Sequence, residues 1–253
     1  MDRLAAIQNI RQILRSGGHS IGSWMQIPHP SVAEIMGQAG YDWVAVDLEH
    51  GSISVHQLPD LFRALELGAT LPLVRLMQGQ AKDCKQALDA GAGGVIVPMV
   101  ASAEYLKQVK EVCCWPPAGS RGVGFSRANL FGKHFTAYAE EAQAPLLIAQ
   151  IEHIRAVENL ASILKVEGLD AILVGPYDLS ASMGITAQFE HPSFKEAINH
   201  VRQVCQQQAF PLGIHIVQPD PSETHQRIAE GYQFIAYSID AVILNLYSQR
   251  PEP

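Results

Sequence analysis

The sequence is poor in charge. Only 17% of its 253 residues are Asp, Glu, Lys or Arg, against about a quarter in an ordinary soluble domain. Bases are scarcer still, 18 against 25 acids, for a net charge of −7. No basic stripe is present, which argues against a nucleic-acid partner. Cysteine is sparse, and Cys84, Cys113, Cys114 and Cys205 show no CxxC spacing. A core of this size needs no staple, so they read as reduced thiols of a cytoplasmic protein. No apolar run follows Met1, so no signal peptide is expected. The longest apolar stretch, Val95 to Ala103, is too short and too broken by Pro to span a membrane. There is no internal repeat and no low-complexity segment.

Other absences bear on chemistry. The first predicted strand is not followed by GxGxxG, so a dinucleotide-binding open sheet has no support. The stretches Gln218-Pro-Asp-Pro221 and Ser238-Ile-Asp240 lack the glycines of a phosphate cup, so the expected substrate is not phosphorylated. Imine chemistry needs a desolvated lysine near a strand end. Lys82, Lys85, Lys107, Lys110, Lys133, Lys165 and Lys195 all fall on predicted helices or loops.

What is present is apolar residue, 47% of the chain, in an alternating rhythm. Short β-branched runs read as strands buried on both faces: Ser20 to Ile27, Trp43 to Asp47, Leu71 to Arg75, Gly94 to Pro98, one from Leu146, Ala171 to Val174, Pro211 to Val217 and Phe234 to Tyr237. Amphipathic helical patterns separate them, including Val55 to Leu67, Ile154 to Leu164 and Pro192 to Gln208. A first helix covers Ile7 to Leu14 and a last one Ala241 to Tyr247. About eight strand–helix repeats without a spacer predict one (β/α)₈ TIM barrel over residues 1–253. The Gly-, Pro- and Arg-rich stretch from Trp115 to Phe135 is too long for an idle connection.

In a barrel the reactive groups sit where strands end. Leu147-Ile-Ala-Gln-Ile-Glu152 and Ala171-Ile-Leu-Val-Gly-Pro-Tyr-Asp178 each end in a single carboxylate, 26 residues apart. On neighbouring parallel strands both would face one mouth, as a divalent-metal site built on two carboxylates requires. The bland alternatives are that Glu152 caps a helix and Asp178 opens a turn. The second strand ends in Asp47-Leu-Glu49-His50-Gly51 and the third in Arg75. Here too plain roles are available: Asp47 bonding loop amides, His50 capping a turn, Arg75 pairing with a buried acid.

Taken together, Trp43-Val-Ala-Val-Asp-Leu-Glu-His-Gly51, Leu73-Val-Arg75, Ala90-Gly-Ala-Gly-Gly-Val-Ile-Val-Pro98, Pro117-Ala-Gly-Ser-Arg-Gly122, Gln150-Ile-Glu152 and Val174-Gly-Pro-Tyr-Asp-Leu-Ser180 are similar to the HpcH/HpaI family. These are class II pyruvate aldolases, acting among others on 4-hydroxy-2-oxoheptanedioate and 2-keto-3-deoxy-sugar acids. The resemblance runs in order from about Ile21 to Asp240. It implies a barrel of the phosphoenolpyruvate/pyruvate type that reversibly cleaves a 4-hydroxy-2-oxo acid to pyruvate and an aldehyde through a metal-bound enolate. It implies a Mg²⁺, Mn²⁺ or Co²⁺ cofactor on Glu152 and Asp178. Arg75 would stabilise the enolate, and His50, oriented by Asp47, would serve the 4-hydroxyl as acid and base. Gln150 and the backbone N–H groups at Leu179 and Ser180 would contact substrate. An oxaloacetate-type decarboxylase using the same metal site is the alternative activity.

Tyr177 and Tyr237 depart from the family pattern and are expected near the mouth. The last helix is apolar at nearly every position, which a barrel's outer helix does not need. Either the first helix folds over it, or another subunit does. The resemblance implies the second: a hexamer of dimers that exchange the last helix, with Arg121 or Arg127 lying near a neighbour's substrate.

Overall fold

The computed structural model describes residues 1–251. Eight parallel strands close on themselves in the order β1 to β8. They are β1 (Ser20–Met25), β2 (Trp43–Asp47), β3 (Leu71–Arg75), β4 (Gly94–Val97), β5 (Leu146–Ile151), β6 (Ala171–Val174), β7 (Leu212–Ile216) and β8 (Phe234–Ile239). Around them run α1 (Arg3–Arg15), α2 (Pro30–Gly37), α3 (Leu58–Leu67), α4 (Ala81–Asp89), α5 (Ala103–Cys113), α6 (Phe135–Gln143), α7 (Ile154–Glu158), α8 (Leu160–Ile163), α9 (Pro176–Ser182), α10 (Pro192–Gln207), α11 (Pro221–Ala229) and α12 (Asp240–Tyr247). This is the expected TIM barrel. Among the described residues no helix is long and apolar enough to cross a membrane.

The period-2 alternation of the strands divides the core in two. Trp24, Trp43, Ala45, Leu73, Ile148, Leu173 and Ala236 point into the barrel. Their neighbours Val44, Val74, Ala149, Ile172 and Ile235 point outward beneath the helices. Strands buried on both faces therefore carry near-continuous apolar runs, which is why they were legible as strands. The interior is tightly filled. Trp43 stacks on Phe234 with centroids 4.3 Å apart, and a Cβ on Gly22 would lie 2.1 Å from the Trp43 ring.

Helix α1 begins earlier than its apolar pattern suggests, because Asp2 Oδ1 accepts the Ala5 N–H at 3.0 Å and caps it. Its Ile7, Ile10 and Leu14 pack beneath Trp43, Leu71, Leu146 and Phe234, the first residues of their strands. The N-terminal end of the barrel is thus plugged and only the C-terminal end opens as a mouth. So α1 does not cover α12, as one expectation allowed. The single helix expected over Ile154 to Leu164 is broken at Asn159, whose side-chain amide turns away to the Ala101 carbonyl at 2.9 Å.

The long connection after α5 is ordered by its own small core of Trp115, Ala128, Tyr138 and Ala142. Arg121 is buried there, donating to the Tyr138 hydroxyl at 3.0 Å. Arg127 donates to Glu66 at 2.7 Å and to the Ala90 carbonyl at 2.9 Å. Each guanidinium thus has partners within its own chain.

Candidate active site

At the mouth the inward positions turn from apolar to polar. Asp47 ends β2 and Arg75 ends β3, and the two are register partners. Arg75 Nε donates to Asp47 Oδ1 at 2.8 Å and its Nη2 to Oδ2 at 2.6 Å. Its third nitrogen, Nη1, lies 3.2 Å from Glu49. The guanidinium also sits 4.4 Å over the Trp24 ring. Burial works against both charges. The Asp47 carboxyl, raised by burial, is carried below its ordinary range by the Arg75 bonds and charge and by the Gln26 amide. Arg75 is likewise held charged against burial by Asp47 and Glu49.

Asp47 also accepts the backbone N–H groups of Glu49 and His50, at 3.0 and 3.3 Å. Two of the plain roles are therefore real: Asp47 does bond loop amides and Arg75 does pair with a buried acid. The expected Asp47–imidazole contact is not made. Asp47 fixes the backbone of His50, while the ring stands half exposed with Nε2 3.9 Å from Glu49.

Opposite this group, Glu152 follows β5 and is buried. One of its oxygens accepts the Met99 N–H and the other the Gln150 amide. Burial, reinforced by the Glu49 and Asp178 carboxylates, pushes its carboxyl up to about 7. Asp178 lies in the first turn of α9, with its side chain at the open surface. Glu49, Glu152 and Asp178 thus crowd one place, and burial raises Glu49 too. One acceptor here is buried without a partner, Gln150 Oε1, while Glu49 Oε2 makes no hydrogen bond but faces Arg75 Nη1. Gly175 lets Glu152 pack close against the backbone: a Cβ there would lie 2.9 Å from Glu152 Oε2 and 3.2 Å from Gln150 Nε2. A close set of carboxylate oxygens beside an unpaired amide oxygen is an environment a hard cation fits. Among the described residues no three His, Cys, Asp or Glu groups surround a metal position. An ion there would need oxygens from water or substrate beside those of the protein.

Leu179 and Ser180 do not offer the free N–H groups expected of them. The Leu179 N–H is bonded to the Gly175 carbonyl at 3.0 Å and its side chain is in the outer core. Ser180 is the fifth residue of α9, so its N–H falls to the Pro176 carbonyl, and its hydroxyl donates to the Tyr177 carbonyl at 2.8 Å and accepts the Ala187 N–H at 3.0 Å. The first turn of α9 leaves free only the N–H groups before Leu179, those of Tyr177 and Asp178. Tyr177 is at the surface, edge-on to Phe189. Tyr237 shares the outward phase of Ile235 and lies toward Tyr41 and Tyr247, so it does not line the mouth.

Sequence reading missed three members of the site, Trp24, Gln26 and His215, and gave Glu49 no role. His215 is inward on β7, two residues after Gly213, with its ring 5.6 Å from Trp24. Burial and the nearby Arg75 charge lower its pKa to about 3, so the ring is neutral. Its available signal was a lone polar residue in Leu212-Gly-Ile-His-Ile216.

This arrangement has counterparts. Residues 20–245 match the family model described as HpcH/HpaI aldolase/citrate lyase. The chain belongs to that family. It is a carbon–carbon lyase of the HpcH/HpaI type. It is 35% identical over 232 residues to a 2-keto-3-deoxy-L-rhamnonate aldolase of Salmonella gallinarum, covering 91% of this chain and 86% of the relative. It is 34% identical to a hydroxypyruvate/pyruvate aldolase of Roseobacter denitrificans, covering 95% and 94% of the two chains. The crystal structure of an HpcH/HpaI aldolase/citrate lyase family protein from Burkholderia cenocepacia superposes with a TM-score of 0.87 at 30% identity, over 94% of this chain and 95% of that one.

Proposed function

We propose that this HpcH/HpaI lyase is a divalent-metal-dependent aldolase that reversibly cleaves a 4-hydroxy-2-oxo acid to pyruvate and an aldehyde. The observation that carries the reading is one fixed cation, Arg75, sharing the barrel mouth with the crowded carboxylates of Glu49, Glu152 and Asp178 and the unpaired Gln150 carbonyl oxygen. Two relatives are named for a 2-keto-3-deoxy-sugar acid and for hydroxypyruvate or pyruvate. Both names describe a 2-oxo acid head, which supports the same substrate class here.

Glu152 and Asp178 would hold Mg²⁺, Mn²⁺ or Co²⁺, which when bound would polarise the 2-oxo acid as a Lewis acid. Arg75 meets the charge that grows on the keto oxygen as the C3–C4 bond breaks. Because Asp47 and Glu49 already fix its fork, little reorganisation is needed at that moment. His50, at the open side of the mouth, takes the proton of the 4-hydroxyl as the aldehyde leaves and returns it in the reverse direction. Gln150 steadies Glu152 through its amide N–H and keeps an unpaired carbonyl oxygen beside it. Trp24 closes the floor beneath Arg75 and keeps water from its inner face.

The test is turnover. Purified protein should release pyruvate from a 4-hydroxy-2-oxo acid, lose that activity in EDTA and regain it with Mg²⁺, Mn²⁺ or Co²⁺. Borohydride with pyruvate should leave it active, since no lysine is placed for an imine. Full activity of verified metal-free protein would sink the metal reading. Pyruvate release from oxaloacetate alone would favour the decarboxylase.

A further inference from the structure

The Arg75–Asp47 pair has a third member from another strand. After Met25 the chain leaves the sheet, and the backbone N–H groups of Gln26 and Ile27 lose their strand partners. The carboxylate of Asp240 takes both, Oδ1 from Gln26 at 2.8 Å and Oδ2 from Ile27 at 2.9 Å. Asp240 is buried and is the first residue of α12, whose Ala241 N–H it also accepts at 2.7 Å. The backbone of Gln26 is therefore anchored at the seam between β1 and β8.

From that anchor Gln26 Nε2 donates to Asp47 Oδ2 at 2.8 Å. The ionised carboxylate only accepts, so the amide has one orientation. With Arg75 Nε and Nη2 and the Glu49 and His50 N–H groups, Asp47 receives five hydrogen bonds. Oδ2 depends on Gln26 and Arg75 alone. Trp24, two residues earlier and in the same inward phase, lies against the face of the guanidinium. One strand thus holds the pair from two directions: Trp24 from the face of Arg75, Gln26 from the far side of Asp47.

We propose that Gln26 is a positioning residue that fixes Asp47, and through it the fork of Arg75, from a backbone locked by Asp240. The catalytic consequence rests on the aldolase reading above; the positioning of Arg75 does not. A guanidinium that must meet charge only as it develops gains from being held still, and small misplacements of such groups are costly.

The experiment pairs kinetics with a measurement that needs no turnover. In Gln26→Leu, similar in bulk but unable to donate, kcat for oxo-acid cleavage should fall about tenfold, the scale of one hydrogen bond to a charged group. KM should stay within about twofold and the thermal midpoint should hold, since neither substrate binding nor packing has lost a contact. Gln26→Glu sets a carboxylate against Asp47 and should fall further. In parallel, phenylglyoxal modification of Arg75, followed by peptide mass, should proceed faster in Gln26→Leu than in the unmodified protein. An unchanged kcat, or an unchanged rate of Arg75 modification, overturns the proposal. So does a raised KM with kcat intact, which would put Gln26 on the substrate itself. A loss of activity matched by a fall in thermal midpoint would make its role one of fold alone. An unmodified chain that cleaves no oxo acid would end the aldolase reading, while the modification rates would still decide whether Gln26 positions Arg75.

Discussion

Arg75 grips the Asp47 carboxylate with two parallel bonds, 2.8 and 2.6 Å long, between register partners on β2 and β3. The aspartate is fully buried. Its charge can be tolerated there only because the fork of Arg75 and the loop amides satisfy it.

Replacement of Arg75 by Lys keeps the charge but not the planar fork. Arg75→Lys should lose most activity while remaining folded by circular dichroism. A normal kcat would remove Arg75 from the mechanism. Asp47→Ala leaves a buried guanidinium without its main partner and should cost about 3–5 kcal/mol in urea unfolding.

His50 is tied down by its backbone and free in its ring, which suits a group that handles protons at an open mouth. His50→Ala should lower aldol cleavage by about 10²–10⁴, the usual contribution of one acid–base group. Decarboxylation of oxaloacetate and proton exchange on pyruvate should suffer less, because neither uses a 4-hydroxyl. Equal losses in all three assays would assign His50 a structural role.

Glu152 predicts a pH dependence. Burial first, then the Glu49 and Asp178 charges, raise its carboxyl from 4.5 to about 7. A raised acid stabilises the fold through its protonated form. That contribution is complete below the ordinary pKa and is lost as pH climbs through the raised one. EDTA-treated protein should therefore weaken between about pH 4.5 and 7, by on the order of 3 kcal/mol. Glu152→Gln should match it at pH 5 and exceed its thermal midpoint at pH 8. Because an ion needs the carboxylate, Mg²⁺ affinity should rise from pH 6 to pH 8 in titration calorimetry. Equal affinity at both would count against Glu152 as a ligand.

Helix α12 predicts assembly. In the single chain its main contacts are with β1 and β8, and Leu244, Leu246 and Tyr247 are exposed. We expect a homo-oligomer, a hexamer of helix-swapped dimers, with this face covered by a neighbour. Light scattering at micromolar concentration should show no monomer, and Val242→Asp with Leu246→Asp should dissociate the assembly. A monodisperse species near 27.6 kDa would refute the expectation.

The sequence by itself determined the architecture and most of the chemistry-bearing positions. Strands buried on both faces announce themselves as unbroken β-branched runs, so Trp43–Asp47 and Leu71–Arg75 were readable to the residue. A polar group ending such a run must face a mouth, which located Asp47, Arg75, Glu152 and Asp178. Only the tertiary structure decided what those groups face. Asp47 turned to Arg75 rather than to the His50 ring because register places the two strand ends side by side. Gln26 and His215 joined the site by barrel closure, which brings residues of β1 and β7 toward the ends of β2 and β3. Leu179 dropped out as an N–H donor because the Gly175 carbonyl had already taken its group, and Ser180 lies one residue deeper in α9, where the i−4 carbonyl serves it. Periodicity fixes which face a residue takes along its own strand. What lies across from it depends on register and closure, and these are long-range properties of the folded chain.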